Sequence, residues 1–125
     1  MEKSRPRRSA LYVPGANSRA LYKARNLNAD VLIIDLEDSV APNMKAEARK
    51  IILSELSNGG YDAHELIIRI NGIDTEWGID DIIAFSRADV DGFLIPKVNS
   101  AQTVISTIDH LDQAGVLEKV HLDEA

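Results

Sequence analysis

Val31-Leu32-Ile33-Ile34-Asp35-Leu36-Glu37-Asp38 is an aliphatic run that passes directly into three carboxylates. An apolar run bounded by charge reads as a strand buried in a parallel sheet, with its acids placed where the strand leaves the core. Acids packed this closely repel one another unless a metal ion, Lys or Arg lies nearby. The rest of the chain must therefore supply the counter-charge to Asp35, Glu37 and Asp38.

Upstream, Ala10-Leu11-Tyr12-Val13 is a short apolar run closed by Pro14-Gly15, which reads as a first strand stopping at a turn. Asn17 or Ser18 can cap a helix over about residues 19–27, where Ala20, Leu21, Ala24 and Leu27 give the helical spacing and Arg19 and Lys23 stand one turn apart. Asn28-Ala29-Asp30 is the polar connection into Val31.

Downstream, Pro42 marks the first turn of a second helix, because its missing N–H is one that a helix start leaves unpaired anyway. Met44, Ala48, Ile51, Ile52 and Leu56 form the expected buried stripe, and Asn58-Gly59-Gly60 ends it. Leu66 to Gly72 reads as a third strand with a charge inside it. Alternation puts Leu66, Ile68 and Ile70 on one face and Ile67, Arg69 and Asn71 on the other. A third helix is expected over about residues 76–86, with Ile79, Ile82, Ile83 and Phe85 inside. Gly92 to Val98 is a fourth apolar strand ending in charge, at Lys97. Ser100 can cap a fourth helix carrying Val104, Ile105, Ile108 and Leu111, which Gly115 terminates, and Val116 to Leu122 opens a fifth strand.

Strict strand–helix alternation at this spacing implies α/β architecture, a parallel sheet with right-handed crossovers. Two arrangements fit, an open doubly wound sheet or half of an eight-stranded β/α barrel, and in both ligands bind at the carboxyl ends of the strands. Those ends carry Pro14-Gly15, then Asp35, Glu37 and Asp38, then Arg69 and Asn71, then Lys97.

With 125 residues, 45% hydrophobic and 27% charged, the chain is expected to form a single domain, residues 1–8 being a basic tail with Lys3, Arg5, Arg7 and Arg8. A formal net charge of -6 argues against a nucleic-acid or anionic-membrane partner. The lack of cysteine excludes disulfides, thiolate ligands and a thiol nucleophile. No apolar stretch approaches the ~20 residues that span a bilayer, and no signal-peptide core follows the basic start, so the expected location is cytoplasmic.

Chemically, Asp35, Glu37 and Asp38 suit a hard cation such as Mg2+, directly or through its waters, or they merely favour the dipole of the second helix. Arg69 offers a planar fork for a carboxylate or a developing enolate oxygen, or it pairs with the acids. Lys45 and Arg49 share one helix face, where they either tether the acidic loop or remain solvated. Lys97 is placed for a substrate phosphate or for the acids. No G-x-G-x-x-G follows the first strand, Ser9, Ser18 and Ser39 lack a nucleophile-elbow context, and His64, His110 and His121 form no metal-ligand spacing. His64 and His110 are expected at the surface.

Arg8-Ser9 with Leu11 to Gly15, Asp35-Leu36-Glu37-Asp38-Ser39-Val40-Ala41-Pro42, Lys45 with Ala48-Arg49, Arg69-Ile70-Asn71 and Pro96-Lys97-Val98 occur in this order over residues 8–98. In that series the chain resembles the citrate lyase β-subunit-like family, which includes malyl-CoA and citramalyl-CoA lyases, within the 2-oxo-acid aldolase superfamily. The resemblance implies a (β/α)8 barrel of which this chain supplies the N-terminal half. It also implies Mg2+ and a retro-aldol or Claisen-type cleavage of a hydroxyacyl-CoA, of citryl, malyl or citramalyl type, to an acyl-CoA and a 2-oxo acid.

Carried over by motif, Arg69 would grip the substrate carboxylate or carbonyl, and Glu37 and Asp38 would orient the site and bind metal waters. Asp35, Lys45 and Arg49 would support them. Tyr12 would line the substrate pocket, and Arg19 and Lys23 would meet the coenzyme A phosphates, with Lys97 nearby. The family's direct metal ligands follow strands five and six, the first near Asp123-Glu124, which makes Glu124 a candidate. A barrel takes about 250 residues. The chain alone would then be a half-barrel with open sheet edges, expected to pair with a second copy or a complementary half.

Overall fold

The computed structural model describes residues 9–96 and the backbone of residues 120–122. Lys97, Glu124, His110, the basic tail and the fourth helix lie outside the described residues. The elements are β1 (Ala10–Pro14), α1 (Ser18–Ala24), β2 (Val31–Asp35), α2 (Lys45–Ser57) entered through a 3-10 turn at Pro42–Met44, β3 (Glu65–Arg69), α3 (Gly78–Phe85), β4 (Gly92–Ile95) and β5 (Val120–Leu122). All strand pairs are parallel, in the order β1-β2-β3-β4-β5.

That order decides between the two arrangements. A doubly wound sheet reverses direction at a switch point, whereas crossovers of one hand stepping always the same way put every helix on one face and curl the sheet into a barrel. The chain is a partial β/α barrel.

The two faces of the sheet separate by alternation. Val13, Leu32, Ile34, Leu66, Ile68, Phe93 and Ile95 share the core with Leu21, Ala48, Ile52, Ile82 and Phe85 from the helices. Ile33, Ile67 and Leu94 point the other way, with Tyr12, Asp35 and Arg69, onto the face that a closed barrel turns inward. Val31 and Ile67 are buried on that face yet stand outside the helix-packed core.

Local signals account for the ends. The Asn17 side chain caps α1 by accepting from Ala20 N at 3.0 Å. Gly15 donates from its N–H to the Asp35 carbonyl at 2.9 Å, and a Cβ there would stand 2.5 Å from that oxygen. The turn after β1 must therefore be glycine for β2 to end beside it. Gly59 and Gly60, with φ of 75° and 97°, release the chain from α2 in the left-handed region.

Two expectations are corrected. Ile79 and Ile83 are 40% and 63% exposed, because α3 turns Gly78, Asp81, Ile82 and Phe85 inward instead. His64 is buried, not at the surface: its ring nitrogens lie 2.8 Å from the Ala29 carbonyl and 3.1 Å from the Arg25 carbonyl, tying the end of α1 and the approach to β2 to the start of β3. Among the described residues no helix is long and apolar enough to cross a membrane.

Candidate functional site

Parallel register sets Pro14, Asp35, Arg69 and Leu94 in one row across the carboxyl ends of the strands. Cross-strand partners project from the same face, so Asp35 and Arg69 meet side by side. Arg69 donates from Nε to Asp35 Oδ1 and from Nη2 to Oδ2, each at 2.9 Å, a two-pronged fork. The same carboxylate accepts the amides of Glu37 at 2.8 Å and Ser39 at 2.9 Å. Asp35 is thus the pivot on which the acidic loop is folded.

Burial pushes the Asp35 carboxyl up, but the Arg69 fork and the two loop amides outweigh it and hold the group at about 2. The hydrogen bonds that Arg69 donates to Asp35 raise it further above its already high value, against the effect of burial. Both groups stay charged across the physiological range.

The other two acids stand further out. Glu37 Oε1 lies 3.7 Å from Arg69 Nε and Asp38 Oδ2 lies 3.6 Å from Nη2, with side chains 32% and 79% exposed. Burial and then repulsion from Asp38 raise the Glu37 carboxyl above the usual glutamate value, while Arg69 pulls it down. The Tyr12 ring covers the guanidinium, its centroid 4.7 Å from Cζ, a cation–π contact. Arg69 thus sits among three carboxylates and beneath a half-exposed phenol at the mouth of the inner face.

The loop backbone is held from below. Lys45 is 5% exposed and donates to the Leu36 carbonyl at 2.9 Å and the Glu37 carbonyl at 2.6 Å, with its ammonium 5.2 Å from the centre of the Trp77 ring. Burial lowers the Lys45 pKa, against the neighbouring carboxylates that raise it.

Arg49 does not reach the loop. Its Nε donates to Asp81 Oδ1 at 2.7 Å and its Nη2 to the Trp77 carbonyl at 3.3 Å, which joins α2 to α3. A helix face fixes direction only, and the fully buried Asp81 is the acceptor that lies in its path. Arg19 and Lys23 stand exposed on α1, with Arg19 in the first turn and so nearer the carboxyl-end rim.

Sequence reasoning missed Asp81 and Trp77. Residues 78, 81, 82 and 85 have helical spacing, so a stripe containing Asp81 was available in the sequence. Hydrophobicity favoured the stripe through Ile79 and Ile83 instead.

Among the described residues no group of three or more His, Asp or Glu side chains is placed to hold a metal ion. Both oxygens of Asp35 are already engaged by Arg69 and the loop amides, so the tetrapeptide does not form a direct cage. What the arrangement offers is a fixed guanidinium for an anionic oxygen, with the partly exposed Glu37 and the exposed Asp38 carboxylates beside it.

Comparison with known proteins bears on the fold and the family. A profile of the HpcH/HpaI aldolase/citrate lyase family matches residues 8–115. The chain is 48% identical over 104 residues to a (3S)-malyl-CoA thioesterase of Cereibacter sphaeroides, covering 83% of this chain and 36% of that protein. It is 42% identical over 103 residues to the citrate lyase subunit beta of Escherichia coli, covering 82% and 34%. The fold superposes with a TM-score of 0.63 and 30% identity on a citrate lyase beta subunit from M. tuberculosis solved with oxaloacetate and magnesium, covering 80% of this chain and 44% of that one. The chain spans about a third of the length of the two sequence relatives. With the profile covering most of its residues and the partial barrel to match, the chain belongs to the HpcH/HpaI aldolase/citrate lyase family.

Proposed function

We propose that the chain supplies the N-terminal half of a Mg2+-assisted carbon–carbon lyase site acting on a hydroxyacyl-CoA of citryl, malyl or citramalyl type and releasing an acyl-CoA and a 2-oxo acid. The observation that carries this reading is the Arg69 fork, fixed by Asp35 at the carboxyl end of β3 beneath Tyr12. In such a cleavage the bond between the hydroxyl-bearing carbon and the carbon next to the thioester breaks. The hydroxyl becomes the carbonyl of the oxo acid, and the electron pair passes to the thioester enolate, which takes up a proton. Arg69 binds the substrate carboxylate or the oxygen on which charge gathers, and Asp35 keeps its plane aimed. Tyr12 walls the pocket.

Mg2+, when bound, supplies positive charge at the oxo-acid oxygens. Glu37 and Asp38 would hold its waters, since their partly exposed and exposed carboxylates stand beside Arg69 while Asp35 is engaged. Glu124, outside the described residues, is the chain's candidate for a direct ligand. Arg19, Lys23 and Lys97 are the basic groups proposed for the coenzyme A phosphates. The magnesium and oxaloacetate named for the M. tuberculosis structure and the malyl-CoA named for the C. sphaeroides relative support this chemistry. A cytoplasmic location accompanies it.

The name of the C. sphaeroides relative favours a second reading, hydrolysis of the same thioester. Products separate the two. Cleavage releases a 2-oxo acid that phenylhydrazine traps and no free thiol, whereas hydrolysis releases coenzyme A thiol and no oxo acid. The experiment incubates malyl-CoA and Mg2+ with the chain, alone and combined with the part of the C. sphaeroides relative that follows the segment matched by this chain. Oxo acid is expected from the combination; thiol alone would replace the lyase reading with the hydrolase one. If neither product forms from a combination that associates, the non-catalytic alternative holds, a half-barrel that binds a carboxylate or coenzyme A.

The same reading makes the chain an assembling unit, as a second copy or a complementary half would cover the inner face and the sheet edges. Light scattering at micromolar concentration is expected to report a species larger than the monomer. A clean monomer would remove this part of the proposal.

A further inference from the structure

The acidic loop reaches α3 through a relay that the proposed chemistry does not itself use. Asp81 lies in the core with no exposed surface. Its Oδ2 accepts the Asn71 backbone N–H at 2.9 Å and the Asn71 side-chain amide at 2.7 Å, and its Oδ1 accepts Arg49. The Asn71 amide also donates to the Leu36 carbonyl at 3.0 Å, inside the acidic tetrapeptide. A carboxylate so deeply buried is costly unless fully paired, and three donors meet this one.

We propose that Asp81 is a positioning residue for the candidate site, which fixes Asn71 and through it the Leu36 carbonyl, and so sets where Glu37 and Asp38 stand relative to Arg69. The inference rests on the functional reading above only for what Glu37 and Asp38 then do. Asn71 has two donor hydrogens on its amide, and Asp81 and Leu36 are the acceptors they meet. Freed from Asp81, the amide can rotate, and among the described residues the Leu36 carbonyl keeps only Lys45 as its side-chain donor. The loop then loses one of the two described side chains that hold its backbone from below. A purely structural role for Asp81 would end at Arg49, in the contact between α2 and α3.

The two roles separate in backbone amide NMR spectra of the full chain. Asp81→Ala takes the acceptor from Arg49 and from Asn71 together, and Asn71→Ala cuts the relay one bond nearer the loop. The expected result is that the Glu37, Asp38 and Ser39 amides shift in both variants. In Arg49→Met, which removes only the link to α2, thermal stability falls and those amides stay in place. Loop amides unmoved in a folded Asp81→Ala or Asn71→Ala would overturn the proposal, as would an equal movement in Arg49→Met. Should Asp81→Ala not fold, the double variant Asp81→Ala with Arg49→Met, which leaves no arginine without its acceptor in the core, compared with Arg49→Met alone gives the same decision. Titration of Mg2+ into wild-type and Asn71→Ala chains, each combined with the complementary part of the barrel, tests the functional reading separately. An apparent affinity about 10–100-fold weaker in the variant is expected for loss of outer-shell support. A wild-type combination that associates but takes up no Mg2+ would count against the metal reading, while the amide shifts still decide the role of Asp81.

Discussion

Asp35→Ala is expected to cost about 3–5 kcal/mol of folding stability, the largest loss of any single change at this site. The substitution takes the two-pronged acceptor from the mostly buried Arg69 guanidinium, which keeps the longer contacts to Glu37 and Asp38, and removes the acceptor of the Glu37 and Ser39 amides at once. Arginine cannot escape by giving up its proton. The reverse change, Arg69→Met, leaves a carboxyl that can take up a proton and keeps both loop amides, so its cost should be smaller. Urea denaturation of both variants at neutral pH measures the difference. Equal costs, or a loss below about 1 kcal/mol for Asp35→Ala, would mean that the pair does not organise the loop.

The same pair sets the acid limit of the fold. Asp35 is held at about 2, below the usual 3.8. A carboxyl whose folded value is depressed contributes stability above its unfolded value and loses it as pH falls through the folded one. The wild type should therefore lose about 2 kcal/mol from this group between roughly pH 4 and pH 2, and Asp35→Asn should show a shallower acid limb.

Arg69→Ala is expected to lower thioester cleavage in the assembled barrel by about 10²–10³ in kcat, by analogy with other donors that meet developing charge. Loss of fold would imitate that result, so Arg69→Lys is the informative companion. Lysine keeps the positive charge opposite Asp35 and much of the stability, but it replaces the planar fork with a compact ammonium that cannot serve two carboxylates in fixed directions. Thermal melting near the wild type together with a kcat still reduced by about tenfold or more assigns Arg69 to the chemistry. Full activity in Arg69→Lys would reduce its role to that of a counter-charge for the acidic loop.

Much of this site was legible as a one-dimensional pattern. The aliphatic run before Asp35, the Pro14-Gly15 stop and the alternation through Leu66 to Arg69 assigned the strands and their carboxyl ends, because a strand's two faces follow from its own sequence. The acidic cluster also announced that a cation had to be near, since unpaired carboxylates do not collect at a core boundary without one. Asp81 and His64 were not legible in the same way. A buried polar residue is tolerated only through partners that are distant in sequence, and its own neighbours give no account of them.

The sequence by itself determined the alternation of strands and helices, the strand ends at which charge gathers, and the family series from Arg8 to Val98. Only the tertiary structure decided that the strands run in sequential order and so curl towards a barrel, and that Asp35 locks Arg69 while Glu37 and Asp38 stand further out. It also decided that Arg49 turns to Asp81 instead of the acidic loop. The physical reason is the same in each case. Periodicity fixes the direction of a side chain within its own element, whereas strand neighbours and ion-pair partners are chosen by cross-strand register and by competition among groups far apart along the chain.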